Sequence, residues 1–488
     1  MFKNRIFLAL IAAILLTSCS DDQDKSGKPA KQSESPSSPQ DDFFTYQTAP
    51  QITVTDIKNN PVANAQILIG TSLGHPFVNN MLSTNEQGQS LLPSDWTSAL
   101  PVTIQAPGFV RVTYFDQSPA NINIVLHALP SPVLYEVSGT TTGHKIVNKD
   151  NWVDFGVVLP ALTREDILSF DVSRVISDKM DVIQIVGQDV KIPSNVSLPK
   201  QKESYFLPIT IDKPDYRIYL DHKGINQIYA IKGRFPFDTV IDAMRNKQEF
   251  YDLINYFSID SAVLREIDVV GLKNSLNLPV TEILLNQSIK VKAPQILSDE
   301  VYLAATIAEK NNLLLPTDIK KIEANQSLSL NIMPNANPLL LSLLKKKDQI
   351  PKDVTRLSIA LTSARANVVA QFLPFIEEGV IDKNTFQADP IMENKAIHVL
   401  GTYSALSEVS EKNENGKIKK TYKKVWETYS SQWGSQIQLP VWPDDNILLN
   451  KKKWEVAFVG SLEDAADVPT GPQMVLKTTH VSYMSLEK

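Results

Sequence analysis

The chain has one cysteine in 488 residues, at position 19. Everything after it is therefore without a free thiol and without an internal disulfide, and its folding rests on buried cores alone. The chain is long enough for that, since 446 residues follow position 42, room for two to four domains of ordinary size. Histidine is scarce too. The six are His75, His127, His144, His222, His398 and His480. None is followed by Glu three residues later, none makes His-Glu-x-x-His, and no two share a helical face. A zinc site would have to be gathered from distant residues. There is no Gly-x-Ser-x-Gly elbow and no Gly-rich phosphate loop, so no cofactor is expected. Glycine is sparse at 18 against 30 prolines, which suits loop-rich β structure. Without Lys3 and Arg5 the balance is 46 basic to 54 acidic residues, a net charge of −8. That argues against nonspecific binding to nucleic acid or anionic lipid.

The longest uninterrupted apolar run at the amino terminus is the eleven residues Ile6 to Leu16, behind Lys3 and Arg5. As a helix it spans roughly 16 Å, about half of a bilayer's ~30 Å hydrocarbon core, so it reads as a signal-peptide core rather than a membrane span. It ends in Leu16-Thr17-Ser18-Cys19. These four residues resemble the lipobox of bacterial lipoproteins. The resemblance implies diacylglyceryl attachment to Cys19, cleavage before it (residues 1–18 being the signal peptide) and acylation of the new amino terminus. A plain secretory signal with a coincidental cysteine is the alternative. Each buried methylene adds about 0.8 kcal/mol, so several chains hold far more firmly than one. Residues 19–42 read as a disordered linker. Ala30 is the only apolar residue between Ser20 and Asp42. These 23 residues would span roughly 25 Å root mean square as a flexible coil. Ser20, rather than Asp, after the cysteine favours the outer membrane by the same resemblance, with the protein on its periplasmic or surface face.

From Phe43 the pattern becomes period-two: Ile52 and Val54, Ala65 to Ile69, Val102 to Ala106, Val110 to Tyr114, Ile122 to Leu126. Such runs between turn residues predict a β-sandwich. The turns Asp56 to Ala65, Thr84-Asn85-Glu86-Gln87-Gly88 and Ala106-Pro107-Gly108-Phe109 resemble those of the carboxypeptidase regulatory-like domain, a prealbumin/Ig-like sandwich, over 43–130. Asn59 and Asn64 stand where that family carries Gly, and Asn tolerates the left-handed conformation. In that family this domain has no active site of its own, so the resemblance implies fold more than activity.

The expected fold class is mainly β and multi-domain, the sandwich being followed by further β-rich modules. Residues 131–275 read as a mixed β-rich domain with one amphipathic helix over 237–257, where Phe237, Val240, Ile241, Met244, Phe250, Leu253, Ile254 and Phe257 recur at helical spacing. Tyr216 and Arg217 are a candidate recognition surface, or else a connecting segment. Residues 276–488 read as β-rich, with the Leu-rich Pro338 to Lys347 as a short helix ending in a basic turn. Asp444-Asp445-Asn446 and Glu463-Asp464-x-x-Asp467 are candidate Ca²⁺ loops or solvated turns. Trp426, Trp433, Trp442 and Trp454 cluster in sequence, and Trp433 and Trp442, near turns, are the candidate ligand platform. The functional expectation is a non-catalytic, lipid-anchored envelope protein that binds an envelope protein or glycan or plays a structural role, touching the membrane through Cys19. The alternative is an envelope hydrolase acting on glycan or peptide.

Overall fold

The computed structural model describes residues 49–129, 133–145, 152–163, 177, 179–185, 188–200, 211–246, 248–347, 354–389, 391, 396–414, 417–443, 445, 451–463 and 468–488. Cys19, the signal segment and the linker lie outside the described residues, as do Asp444, Asn446, Asp464 and Asp467. The protein is mainly β. Among the described residues no helix is long and apolar enough to cross a membrane.

The amino-terminal region is a sandwich of two sheets. Gln51–Asp56, Gln89–Leu91 and Ile122–Leu126 form one. Met81–Ser83, Gln66–Ile69, Leu100–Gln105 and Arg111–Gln117 form the other. Ile52, Val54, Ile67, Ile69, Val102, Ile104, Ile122 and Ile124 fill the space between, as the alternation requires. The turns are built from their own side chains. Asp56 Oδ1 accepts from the backbone N–H of Lys58 and Asn60, both at 2.8 Å. Thr84 Oγ1 donates to Val62 O and accepts from Ala65 N–H. Asn59 (φ 62°), Asn64 (φ 56°) and Gly88 (φ 71°) are left-handed, and a Cβ on Gly88 would lie 2.4 Å from Val54 O.

That second sheet does not end with the sandwich. Arg111–Gln117 pairs in parallel with Lys417–Ser430, from Trp426↔Arg111 to Tyr429↔Tyr114. The sheet continues through His398–Glu414, Lys452–Ser461, His480–Glu487, Thr355–Ser363, Asn337–Lys346, Glu300–Lys310, Leu313–Lys321 and Leu162–Thr163, thirteen strands in all. A five-stranded sheet built on Trp152–Pro160, Gly224–Pro236 and Ser258–Val269 packs on one end of it. A four-stranded sheet around Tyr135–Thr142 and Asp215–Leu220 closes the far side of the five-stranded one.

This layering explains where periodicity misleads. Leu339, Leu341 and Leu343 point into the core shared with the five-stranded sheet, and Leu340 and Leu344 into a separate cluster with Val291, Tyr302 and Leu330. Pro338 to Lys347 is therefore a strand apolar on both faces, Asn337–Lys346, and not the expected short helix. The single helix expected over 237–257 is instead Phe237–Arg245, followed by the short turns Phe250–Leu253 and Ile254–Tyr256. The interruption falls at 246–249, where the run of apolar spacing also lapses. A helical turn, Gln473–Leu476, precedes the last strand, which begins at His480. Leu313–Lys321 was hidden by Pro316, which sits where the register shifts between Thr306 and Ile307. A bulge is where a strand tolerates a residue without an N–H.

Candidate functional site

The seam where the sandwich joins the long sheet holds two groups of buried polar side chains. Arg111 is buried and its guanidinium carbon lies 4.5 Å from the Trp426 ring centroid and 4.8 Å from that of Trp442. It pairs with Asp445 and donates through Nε to Gln105 Oε1 at 2.8 Å. Burial works to lower its affinity for the proton, and Asp445 opposes this. Trp426 Nε1 donates to Thr113 Oγ1 at 2.9 Å, and Val441 N–H donates to Thr71 O at 2.7 Å. Five of these contacts reach from the sandwich to residues more than 300 positions away.

This arrangement corrects the expectation of a Trp433–Trp442 platform. Trp442 is 8 % exposed, and its indole packs on Arg111. Trp433 is half-buried, donates from Nε1 to Val459 O at 2.8 Å, and packs against the core that holds Trp454. Neither ring is an open face for a sugar. Asp445, expected in a Ca²⁺ loop or a solvated turn, is instead the ion-pair partner of buried Arg111. Among the described residues no group of three or more His, Cys, Asp or Glu side chains is placed to hold a metal ion. Tyr216 is fully buried with its hydroxyl on Leu276 O, and Arg217 pairs with Asp181, which leaves Tyr216 no part in a recognition surface.

A second group lies on the same seam. His127 follows the last strand of the sandwich, and its Nδ1 is 2.7 Å from Glu427 Oε2. Their side chains are 6 % and 1 % exposed. Lys424 Nζ donates to Glu427 Oε1 at 2.7 Å and to the Tyr403 hydroxyl at 3.1 Å. The hydroxyls of Tyr403 and Tyr429 also reach Glu427, both at 3.3 Å. Burial pushes the Glu427 carboxyl up, yet Lys424 and His127 outweigh it and hold the group well below the usual carboxylate range. Burial alone would lower Lys424, but Glu427 and Tyr403 carry it above the ordinary lysine value.

His127 also lines a cleft of about 530 Å³. The cleft is bounded by the sandwich turn at Asp56 to Asn59, by His222 and Ile225 to Gln227, by Pro160 to Thr163, by Leu313 and by the Pro472 to Leu476 turn. The sandwich, the five-stranded sheet and the long sheet all contribute. Sequence reasoning missed this site because His127 and Glu427 are 300 residues apart and neither sits in a recognisable motif. The only signal was that His127 closes an alternating strand as a polar residue.

No protein-family model matches this chain, and no curated protein matches it. Among solved structures it is similar to the TIE protein of Bacillus anthracis at 10 % identity and a TM-score of 0.15, over 66 % of this chain and 50 % of that one. A streptococcal ancillary pilin shows 9 % identity and a TM-score of 0.13, over 66 % of this chain and 98 % of that one. A fimbrial assembly protein of Parabacteroides distasonis shows 8 % identity and 0.13, over 69 % and 97 %. This chain thus spans half of the first of these. TM-scores so low do not establish a shared architecture.

Proposed function

We propose that this chain is a lipid-anchored, non-catalytic protein of a bacterial cell envelope, held at the outer membrane through Cys19 on the linker 19–42, with a seam cleft that binds a partner. The observation that carries the reading is the weld. One sheet runs from the sandwich into the carboxy-terminal region, so a tether ahead of residue 49 holds a body whose binding surfaces are fixed to one another. We read the sandwich itself as carboxypeptidase regulatory-like. Its support is the left-handed backbone of Asn59, Asn64 and Gly88 and the side-chain caps of Asp56 and Thr84, which give each residue of the turn motif a job. The test is fractionation: Cys19→Ala moves the protein from the membrane pellet to the soluble envelope fraction. Unchanged fractionation would refute lipid anchoring.

One observation favours the second reading, an envelope hydrolase. His127 carries a buried carboxylate on Nδ1 and lines a cleft, the arrangement that orients a general base. Turnover of a peptide p-nitroanilide or a p-nitrophenyl glycoside, lost in His127→Gln, would decide for it.

A further inference from the structure

We propose that the seam cleft binds the carboxylate of an aliphatic acyl or peptidyl ligand, with His127 as the group that recognises it. This rests on the reading of the cleft as a binding site. Three features of the cleft point to that chemistry.

The first is the ring itself. Glu427 occupies His127 Nδ1, and the imidazole lines the cleft, so Nε2 is the nitrogen offered to a ligand. In the recognition scheme Nδ1–H stays on Glu427 and an N–H at Nε2 meets the anion, a charge-assisted pair on a ring of fixed orientation. Glu427 is a positioning residue in this scheme, itself held by Lys424, Tyr403 and Tyr429. A buried histidine whose carboxylate partner is itself hydrogen-bonded by three other side chains is a built feature, not a solvated surface side chain.

The second is charge. Among the described residues Asp56 is the one carboxylate lining the cleft, and its oxygens are taken by its own turn, through Lys58 N–H, Asn60 N–H and Asn60 Nδ2 at 2.8–2.9 Å. Lys58 and His222, both exposed, also line the cleft, and His222 Nδ1 lies 2.7 Å from Asp221 Oδ1, which leaves Lys58 as the exposed cation. The other polar side chains of the lining, Asn59, Thr163, Asn226, Gln227 and Gln473, are uncharged and each can donate to an anion.

The third is the walls. Ile57, Val125, Ile225, Leu313 and Leu476 are aliphatic, and no Phe, Tyr or Trp lines the cleft among the described residues. Ile57 and Ile225 are 54 % and 68 % exposed, which is apolar surface left for a ligand to cover. A sugar would find no ring to stack on, whereas a branched aliphatic group has a surface to bury. The volume suits one such group with its carboxylate.

The test uses the full-length protein in detergent and two ¹⁹F probes, N-trifluoroacetyl-leucine and N-trifluoroacetyl-leucinamide, followed by line broadening. The acid is expected to bind at least tenfold more tightly than the amide. His127→Gln should erase that preference, and Lys58→Gln, a surface change with no core to disturb, should weaken the acid several-fold and leave the amide unchanged. Binding of neither probe, or a preference that survives in His127→Gln, overturns the proposal. Equal binding of both probes overturns carboxylate recognition while leaving the cleft a binding site. None of these outcomes touches membrane anchoring, which Cys19→Ala tests by itself.

Discussion

Replacing Glu427 by Gln preserves the shape of the side chain and removes the charge on which the seam is organised. In the native protein that carboxylate is 1 % exposed and meets His127 at 2.7 Å and Lys424 at 2.7 Å. Removing one member of a buried pair leaves the other uncompensated and costs about 3–5 kcal/mol. Lys424 keeps 24 % of its side-chain surface in water, so it recovers part of its hydration and the lower end, about 3 kcal/mol, is expected. Thermal melting is a poor gauge. At about 2 cal/mol/K of unfolding entropy per residue, a cooperative unit of this size shifts only about 1 °C per kcal/mol. Urea unfolding followed by tryptophan fluorescence is better, because Trp426 is the neighbouring residue and is fully buried. The sign of the pH dependence follows from the direction of the shift. The folded carboxyl titrates below its unfolded value of about 4.3, so its stabilisation is complete above that pH and is lost as pH falls toward the folded value. The deficit of Glu427→Gln should thus be largest at neutral pH and shrink below about pH 4. A cycle with Lys424→Met should give a coupling of about 1.5–3 kcal/mol. A deficit under 1 kcal/mol at pH 7, or a coupling under 0.5 kcal/mol, would refute the claim that this pair holds the seam.

Other consequences of the seam are as direct. Arg111→Lys keeps the charge but loses the flat guanidinium that Trp426 and Trp442 pack on and the fork that serves Gln105 and Asp445. A loss of about 1–3 kcal/mol in urea is expected, and equality with the native protein would count against the stacking argument. The fragment 43–129 expressed alone leaves Arg111–Gln117 without its parallel partner, an unpaired edge. It should self-associate on size exclusion, and a stable monomer would show that the sandwich does not depend on the weld. Gly401→Ala places a Cβ 1.9 Å from Ser430 O at φ +145°, where the sheet register shifts. Its urea midpoint should fall sharply, and a native-like midpoint would mean that the strand pair yields easily.

What was legible in the sequence follows from how many faces each strand buries. Gln51–Asp56 and Ile122–Leu126 bury one face and leave the other in contact with water, so Ile52 and Val54 alternate with polar neighbours and announce themselves. Strands of the three-layer end are buried on both faces, as Tyr229 and Ile231 go one way while Ile228 and Ala230 go the other. Period two vanishes there. A run such as Leu339 to Leu344 then matches a helix as well as a strand, and only the neighbours that cover each face decide. The site was hidden for a different reason. A motif is visible when chemistry is local, but His127 meets Glu427 only because a parallel pairing lays residues 111–114 beside 426–429. The tryptophans show the same limit from the other side. Their clustering in sequence goes with burial, since Trp426, Trp442 and Trp454 are all at most 8 % exposed. Trp426 and Trp442 cover an arginine that ties two distant parts of the chain together, and a sequence carries no mark of which partner an indole will face. Where a large sheet welds distant segments, residues that look like a binding surface are drawn into the weld, and the open chemistry collects at its rim, as it does around His127.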